Sequence, residues 1–402
     1  MIKKYIERKI YLDRINTFID KDIIKVITGQ RRVGKSYLLF QIMDVIKKKH
    51  PRANIVYINK ELNKFDEIKN YQDLLNYIKK QSKVRGKNYV FIDEIQDIDK
   101  FEKALRDLKA SGKYDIYCTG SNAHLLSGEL ATYLNGRYLE IQVFSLSYLE
   151  FLTFHKLKNS QDSLLKYIKY GGLPYLMHLK LDDLIVYDYL KSVYNTILYK
   201  DVVSRYKIRN PAFLENLVEY LADNTGSLVS AKKISDFLKS QKINISPNIV
   251  LDYLSFLANA FFIFKSPRAD IQGKKIFEIN DKYYFEDLGL RHSVIGYKQI
   301  DINKILENLV FLHLQIMGYK VFVGKLGNKE IDFVCEKQGK KIYLQVAYHI
   351  TKKNQEREFG NLLTIKDNYP KFVISMDELI DLKGYKGIKC IHIRDFLSLK
   401  KL

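Results

Sequence analysis

The chain has 402 residues, of which 47% are hydrophobic, and it carries a formal net charge of +21. This apolar fraction excludes a largely disordered protein, and the length predicts two or three domains with a sizeable core. The charge indicates either an acidic partner, such as DNA or RNA, or a lysine-rich surface with no partner.

The cysteines and the apolar segments exclude further classes of protein. Cys118, Cys335 and Cys390 lie far apart, which argues against a disulfide framework and against a zinc knuckle. The first 16 residues lack the apolar stretch of a secretory signal, and the longest apolar segment, 249–264, is too short and too interrupted to span a bilayer. We therefore expect a cytoplasmic protein with no membrane span.

The first third of the chain alternates short apolar runs with helical patterns, as a parallel sheet with crossover helices does. Amphipathic spacing predicts helices at 35–48 and 71–81. Apolar runs predict buried strands at 23–28, 54–59, 89–92, 115–119 and 138–144. The pattern is typical of a doubly wound α/β domain.

A phosphate-binding loop is predicted between the first strand and the first helix. The segment fits G-x-x-x-x-G-K-[ST] and reads Gly29-Gln30-Arg31-Arg32-Val33-Gly34-Lys35-Ser36. Glycines let backbone N–H groups turn inward towards phosphate oxygens, and the following helix begins at the site with its positive dipole end. Lys35 is expected to reach the β- and γ-phosphates of ATP, and the Ser36 hydroxyl to bind Mg²⁺.

Two acids follow the predicted strand 89–92, about sixty residues after the loop. Asp93 is expected to hold the Mg²⁺ shell, and Glu94 to accept a proton from the attacking water as a general base. The strand 115–119 ends in Gly120-Ser121-Asn122, where a polar side chain could orient that water. Spacing does not separate Ser121 from Asn122, and an ordinary turn is the alternative.

The remaining chain changes pattern twice. Residues 147–209 are helical with one break at 171–174, and we expect a helical lid there. Helical stretches at 211–223, 230–240 and 246–260, an apolar run at 261–265 and an alternation at 269–279 predict a winged helix-turn-helix in 210–300. Residues 301–402 predict a small α/β unit with helices at 303–317 and 352–366 and strands at 320–324, 330–335, 341–348 and 372–375.

Basic residues lie near the helices and the expected wing of this winged-helix region. Such residues suit phosphate contacts, although a solvated surface is the alternative. They are Lys232, Lys233, Lys239, Lys242, Lys274 and Lys275.

These motifs resemble a family of prokaryotic AAA+-type ATPases in which the ATPase domain precedes a C-terminal domain of unknown function. The resemblance covers nearly the whole chain. It is carried by the segments 29–36, 91–96, 119–122, 136–137, 144–151, 171–174 and 200–201. It implies a sheet with an additional strand beside a catalytic glutamate, and Ser121 or Asn122 in a sensor role. It also implies Arg137 as an arginine finger that reaches the next subunit of a homo-oligomer; local pairing of Arg137 is the alternative.

The order of elements in 301–402 resembles the PD-(D/E)XK nuclease fold, in which acids on adjacent strands hold Mg²⁺. Carried over residue by residue, Glu307, Asp332 and Gln345 match the metal positions. The nuclease pattern then requires a lysine where this chain has Ala347. Either another cation such as Lys341 substitutes, or the module is an inactive binding relic, or Glu330 and Asp332 are ordinary strand-edge acids.

The sequence thus predicts four regions: a P-loop ATPase core (1–146), a helical lid (147–209), a winged-helix-like region (210–300) and a nuclease-like domain (301–402). The function predicted first is an ATPase that binds and hydrolyses Mg-ATP and acts as a switch or motor on nucleic acid or a protein partner. The alternatives are a metal-dependent nuclease regulated by ATP and a protein-interaction scaffold whose assembly ATP controls.

Overall fold

The structure is a computed structural model that describes residues 5–84, 86–123, 134, 136–240, 243–271, 276–351, 354–377 and 384–402; the side chains of 276–280 and 357 are outside that description. The chain divides into two compact units. One comprises residues 1–144 with 259–261, and the other comprises residues 145–258 with 262–402.

The first unit is built on a parallel sheet of five strands in the order β2-β3-β4-β1-β5. The strands are β1 (Ile24–Thr28), β2 (Asn54–Asn59), β3 (Asn88–Asp93), β4 (Tyr114–Gly120) and β5 (Tyr138–Gln142). The helices are α1 (Lys9–Asn16), α2 (Lys35–Lys49), α3 (Tyr71–Gln81) and α4 (Phe101–Ala110). All five predicted strands are confirmed within two residues, and the additional strand that the resemblance implies is β4, which lies between β1 and β3. Helices α1 and α4 were not predicted.

Parallel strands bring their carboxyl ends to one edge of the sheet, and this edge carries the predicted motifs. The chain leaves β1 into the loop 29–34, leaves β3 at Asp93 and leaves β4 at Gly120. Every residue of β1 and β3 is buried, and both strands are accordingly mainly apolar; the buried Lys25 of β1 is paired with Asp115.

The second unit begins with helices, as predicted. These are α5 (Tyr148–His155), α6 (Gln161–Tyr170) and α7 (Asp183–Thr196), the last continuing as a π-helical segment, Ile197–Ser204. At the predicted break, the backbone N–H of Gly172 donates to Asp287 Oδ2 at 2.7 Å. A Cβ added at Gly172 would lie 2.5 Å from the carbonyl oxygen of Leu146, so the close approach of these segments requires glycine.

The next elements are α8 (Pro211–Asp223), β6 (Leu228–Val229), α9 (Ala231–Ser240), α10 (Pro247–Asn259), β7 (Ile263–Asp270) and β8 (Ile276–Phe285). The first ribbon strand extends beyond the apolar run 261–265 that indicates it, because β7 continues through Pro267. The register of β7 against β8 shifts between Ser266 and Arg268, and a proline is tolerated at such an irregularity.

The unit ends with α11 (Leu288–Ile295), α12 (Ile302–Ile316), β9 (Lys320–Leu326), β10 (Lys329–Lys337), β11 (Lys340–Ala347), α13 (Gln355–Leu363), β12 (Lys371–Ser375), β13 (Lys389–His392) and α14 (Ile393–Phe396). Its strands form one sheet in the order β13-β12-β11-β10-β9-β7-β8-β6. Parallel pairing of β7 with β9 carries this sheet across the predicted boundary at 300/301. The boundaries at 210 and 301 stay predictions. In the described part of the chain, no helix combines the length and the apolar character needed to cross a membrane.

Burial of His313 on α12 predicts a loss of stability in acid. Its Nε2 lies 3.0 Å from the Leu399 carbonyl oxygen, and its ring packs against Phe396. Burial lowers the pKa of His313 to about 4, against an ordinary value of 6.5, although the carbonyls of Leu399 and Phe396 oppose this shift. Because the folded-state pKa is depressed, the contribution to stability is complete above pH 6.5 and is lost as the pH falls towards 4.

We expect the free energy of unfolding to fall between pH 7.5 and pH 5.0 by about 2 kcal/mol more in the parent protein than in His313→Gln. Urea-induced unfolding followed by circular dichroism at both pH values measures this difference. The exposed His178, changed to Gln, provides the control, and an unchanged pH dependence in His313→Gln would contradict the assignment.

Candidate nucleotide site

The loop between β1 and α2 has the backbone conformation that its glycines permit. Gly29 has φ 143° and Gly34 has φ 96°, which are conformations that other residues rarely adopt. A Cβ added at Gly29 would lie 2.1 Å from the carbonyl oxygen of Val143, so only glycine fits there. Gln30 anchors the loop by donating from Nε2 to the Phe261 carbonyl oxygen at 3.1 Å, and Arg31 Nη1 pairs with Glu61 at 3.0 Å.

Lys35, the first residue of α2, lies inside this loop with 4% of its surface exposed. Its Nζ donates to the carbonyl oxygens of Gly29 and Gln30, each at 3.0 Å, and lies 3.7 Å from Glu94 Oε1. The ammonium group is therefore surrounded by oxygens at the helix N-terminus. Phosphate oxygens suit the same position, because both the lysine and the helix dipole attract anions.

Asp93 ends β3 beside Ser36. Its Oδ1 accepts from the Thr119 hydroxyl at 2.5 Å and its Oδ2 accepts from the Tyr57 hydroxyl at 3.2 Å, while Ser36 also hydrogen-bonds to it. Burial raises the pKa of Asp93, although the hydrogen bonds from Thr119 and Ser36 oppose the rise. A carboxylate and a hydroxyl that face each other are ligands that Mg²⁺ accepts together with phosphate and water, so these residues fit that ion.

Glu94 is held by contacts to its backbone N–H and to both of its carboxylate oxygens. It has φ 55°, an uncommon conformation for a residue with a side chain, and its N–H donates to Thr119 Oγ1 at 2.9 Å. Although burial alone raises it, the pKa of Glu94 is lowered overall by Lys35, Gln96, Arg31 and Ser121. Glu94 is consequently a carboxylate at neutral pH, which is the form that accepts a proton.

The two sensor candidates are both buried just after β4. Ser121 is buried beside Glu94, to which it hydrogen-bonds, and its Oγ lies 3.5 Å from Gln96 Nε2. Asn122 is buried as well, with 4% of its surface exposed. Both sensor assignments stay predictions.

Arg137 lies at the opposite edge of the sheet. Its carbonyl oxygen accepts from the Ile24 N–H at 3.1 Å, and Tyr138 is paired with Ile24 at the start of β1. This edge and the phosphate loop are at opposite ends of β1. A five-residue strand is roughly 15 Å long, so about this distance separates them. The exposed Arg137 is thus remote from Glu94 of the same chain.

Two supporting residues were missed in the sequence. Arg8 is buried, and its Nη1 donates to the Val33 carbonyl oxygen at 3.0 Å and to the Phe144 carbonyl oxygen at 2.8 Å. These bonds connect the phosphate loop to the segment after β5. Thr119 orients Asp93 and Glu94 together through its hydroxyl. A threonine that ends an apolar strand was a signal available in the sequence, whereas nothing distinguishes Arg8 from the many neighbouring charges.

The three nuclease-like positions lie near one another in the second unit, with a lysine among them. Lys282 Nζ, from β8, contacts Glu307 Oε1 at 2.9 Å, and the Tyr284 hydroxyl donates to the same oxygen at 2.6 Å. The backbone N–H of Asp332 lies 3.4 Å from Gln345 Oε1. Burial raises the pKa of Asp332, and the carboxylate of Glu307 adds to the rise.

Lys282 supplies the positive charge of this acidic centre. It also pairs with Glu330 Oε1 at 2.8 Å, and only 4% of its side chain is exposed. Lys341, expected as a substitute cation, instead pairs with Glu336 at 3.3 Å near the start of β11. Across the residues that the structure covers, no three His, Cys, Asp or Glu side chains are arranged to hold a metal ion. Glu307, Asp332 and Gln345 as metal ligands therefore stay a prediction.

Of the basic residues singled out in the winged-helix region, Lys232, Lys233 and Lys239 are exposed on α9. Lys242, Lys274 and Lys275 lie outside the described residues. The exposed face of α10, by contrast, carries Asn248, Ile249, Leu251, Asp252 and Ser255.

Comparison with known proteins identifies the two regions. Residues 21–152 match a family model described as an AAA domain, and residues 161–301 match a model described as a domain of unknown function. An uncharacterized protein of Haemophilus influenzae is 39% identical over 99% of this chain and 100% of its own length. The chain belongs to the same family as that protein. An uncharacterized protein of Methanocaldococcus jannaschii is 33% identical over 89% of this chain and 84% of its own length.

Residues 21–152 of this family member accordingly form an AAA domain, which confirms the resemblance for that part of the chain. Among solved structures, the Aeropyrum pernix ORC1 protein in complex with DNA has 10% sequence identity and a TM-score of 0.35, covering 72% of this chain and 92% of that one. So low a similarity carries no argument about partners.

Proposed function

We propose that the protein binds Mg-ATP at residues 29–36 and hydrolyses it, and that the cycle drives a switch or motor. The observation that carries the proposal is the convergence of Lys35, Ser36, Asp93 and Glu94 at one edge of the sheet. Lys35 would bind the β- and γ-phosphates, and the loop N–H groups would hold the phosphate chain.

Each acid has a distinct role in this proposal. Mg²⁺, held by Ser36 and Asp93, would neutralise the charge that develops on the phosphate oxygens. Glu94 would take the proton of the attacking water, because its neighbours keep it ionised and its backbone is fixed by Thr119. Arg137 would act on the site of a neighbouring copy in a homo-oligomer, since it lies far from Glu94 of its own chain.

For the partner, we propose nucleic acid first and a protein second. The net charge of +21 and the exposed lysines of α9 favour contacts with phosphates. The order of helices, followed by the antiparallel pair β7–β8, is consistent with the winged helix-turn-helix that we propose for this region. However, α10 is the helix that would enter the DNA groove, and its exposed face, with Ile249, Leu251 and Asp252, carries apolar and acidic side chains. This feature supports the protein alternative.

An ATPase assay with and without DNA, RNA and added salt tests the proposal. We expect magnesium-dependent ATP hydrolysis that rises on addition of nucleic acid, with binding that weakens as the salt concentration increases. In a variant with Lys232, Lys233 and Lys239 changed to Ala, the slope of log affinity against log salt should fall by about one per lost phosphate contact. Hydrolysis that is insensitive to both DNA and RNA would point instead to a protein partner.

A further inference from the structure

Gln96 connects the proposed general base with Ser121. It lies in the short 3₁₀ turn Ile95–Asp97 that follows Glu94. Its Nε2 donates to Glu94 Oε2 and lies 3.5 Å from Ser121 Oγ. The segment 91–96 was recognised in the sequence, but only its two acids received roles.

The two oxygens of Glu94 are held from different sides. Lys35 Nζ lies 3.7 Å from Oε1, whereas Gln96 contacts Oε2. In the proposed cycle, Lys35 turns to the phosphates, which compete for the same ammonium group. The contact with Gln96 is the one that continues to orient the carboxylate during hydrolysis.

The two ends of the Gln96 amide can be assigned from hydrogen-bond chemistry. A carboxylate only accepts hydrogen bonds, so the amide nitrogen must face Glu94 and the carbonyl oxygen must face away from it. This Oε1 is buried and has no hydrogen-bond partner within the described residues. Within these residues, the amide is thus held through its nitrogen, which faces Glu94.

We propose that Gln96 is a positioning residue of the hydrolytic centre, whose amide nitrogen orients the Glu94 carboxylate towards the attacking water. In that step the water oxygen bonds to the γ-phosphorus, and the bond from this phosphorus to the bridging oxygen breaks, with its electron pair leaving on ADP. One water proton passes to Glu94, the other O–H bond of the water is kept, and Gln96 exchanges no proton. The inference rests on the proposed ATPase function.

A double-mutant cycle tests whether Gln96 acts through Glu94. We expect Gln96→Ala to lower kcat about 10- to 100-fold with no change in ATP affinity, and Gln96→Met, which keeps the length of the side chain, to do the same. In a Glu94→Gln protein, the further change Gln96→Ala should lower kcat less than about twofold, because the residue through which Gln96 acts is already disabled. The exposed Gln72, changed to Ala, is the matched control and should have parent kinetics.

Three results would overturn the inference. One is a parent kcat in Gln96→Met, and another is a full additive loss in the double variant, which indicates an independent structural effect. The third is a loss of ATP affinity equal to the loss of kcat. If the parent protein hydrolyses ATP and Lys35→Ala does not, these results reject Gln96 alone. A folded parent protein that neither binds nor hydrolyses ATP rejects the proposed function and this inference together.

Discussion

Replacing Glu94 by Gln is expected to leave a protein that binds Mg-ATP with parent affinity but turns it over about 10²- to 10⁴-fold more slowly. The amide has nearly the shape of the carboxylate, so Gln96 keeps a partner of similar size, and the backbone N–H of residue 94 still donates to Thr119. The new amide at position 94 does not accept a proton at neutral pH, and the attacking water therefore loses its general base. Measurement of kcat beside the dissociation constant for ATP separates this loss from a loss of binding.

A Glu67→Gln protein provides the control, because this glutamate is exposed in the same unit. Hydrolysis at the parent rate in Glu94→Gln would remove Glu94 from the role of general base.

The Glu94→Gln variant also tests the role of Arg137. Mixing Glu94→Gln with Arg137→Ala subunits should restore turnover if the arginine acts on a neighbouring copy; no recovery in a mixture shown to assemble would argue against this role.

Replacing Lys35 by Ala is expected to weaken ATP binding by at least about 100-fold, because a charge-assisted contact to the phosphates is lost. The substitution also leaves the buried Glu94 carboxylate without the ammonium group 3.7 Å away. An unpaired buried charge is destabilising, so the melting temperature should fall as well. Titration with a fluorescent ATP analogue, alongside circular dichroism to establish folding, measures both effects.

Lys48→Ala is the matched control, since Lys48 is exposed in the last turn of the same helix. Nucleotide affinity unchanged in a folded Lys35→Ala protein would mean that the loop 29–36 is not the phosphate site.

The part of the site that was predictable follows from short-range patterns. Apolar runs and glycine spacing located β1, β3 and the loop, and a parallel sheet has to bring their ends together at one edge. Arg8 contacts Phe144, which lies 136 positions away, and Lys282 contacts Glu307, 25 positions away. Hydrophobic periodicity within a short segment carries no information about contacts between residues so far apart in the sequence. The role of Gln96 was missed because it depends on the turn after Glu94.

The parallel pairing of β7 with β9 has a consequence for dissecting the protein. A cut at residue 300 would separate the two strands and leave a row of unpaired backbone donors and acceptors on each fragment. Such open edges recruit other strands, so separately expressed fragments should aggregate even where each retains its helices. Within the second unit, winged-helix-like and nuclease-like segments share one sheet, and a conformational change there would have to carry both together.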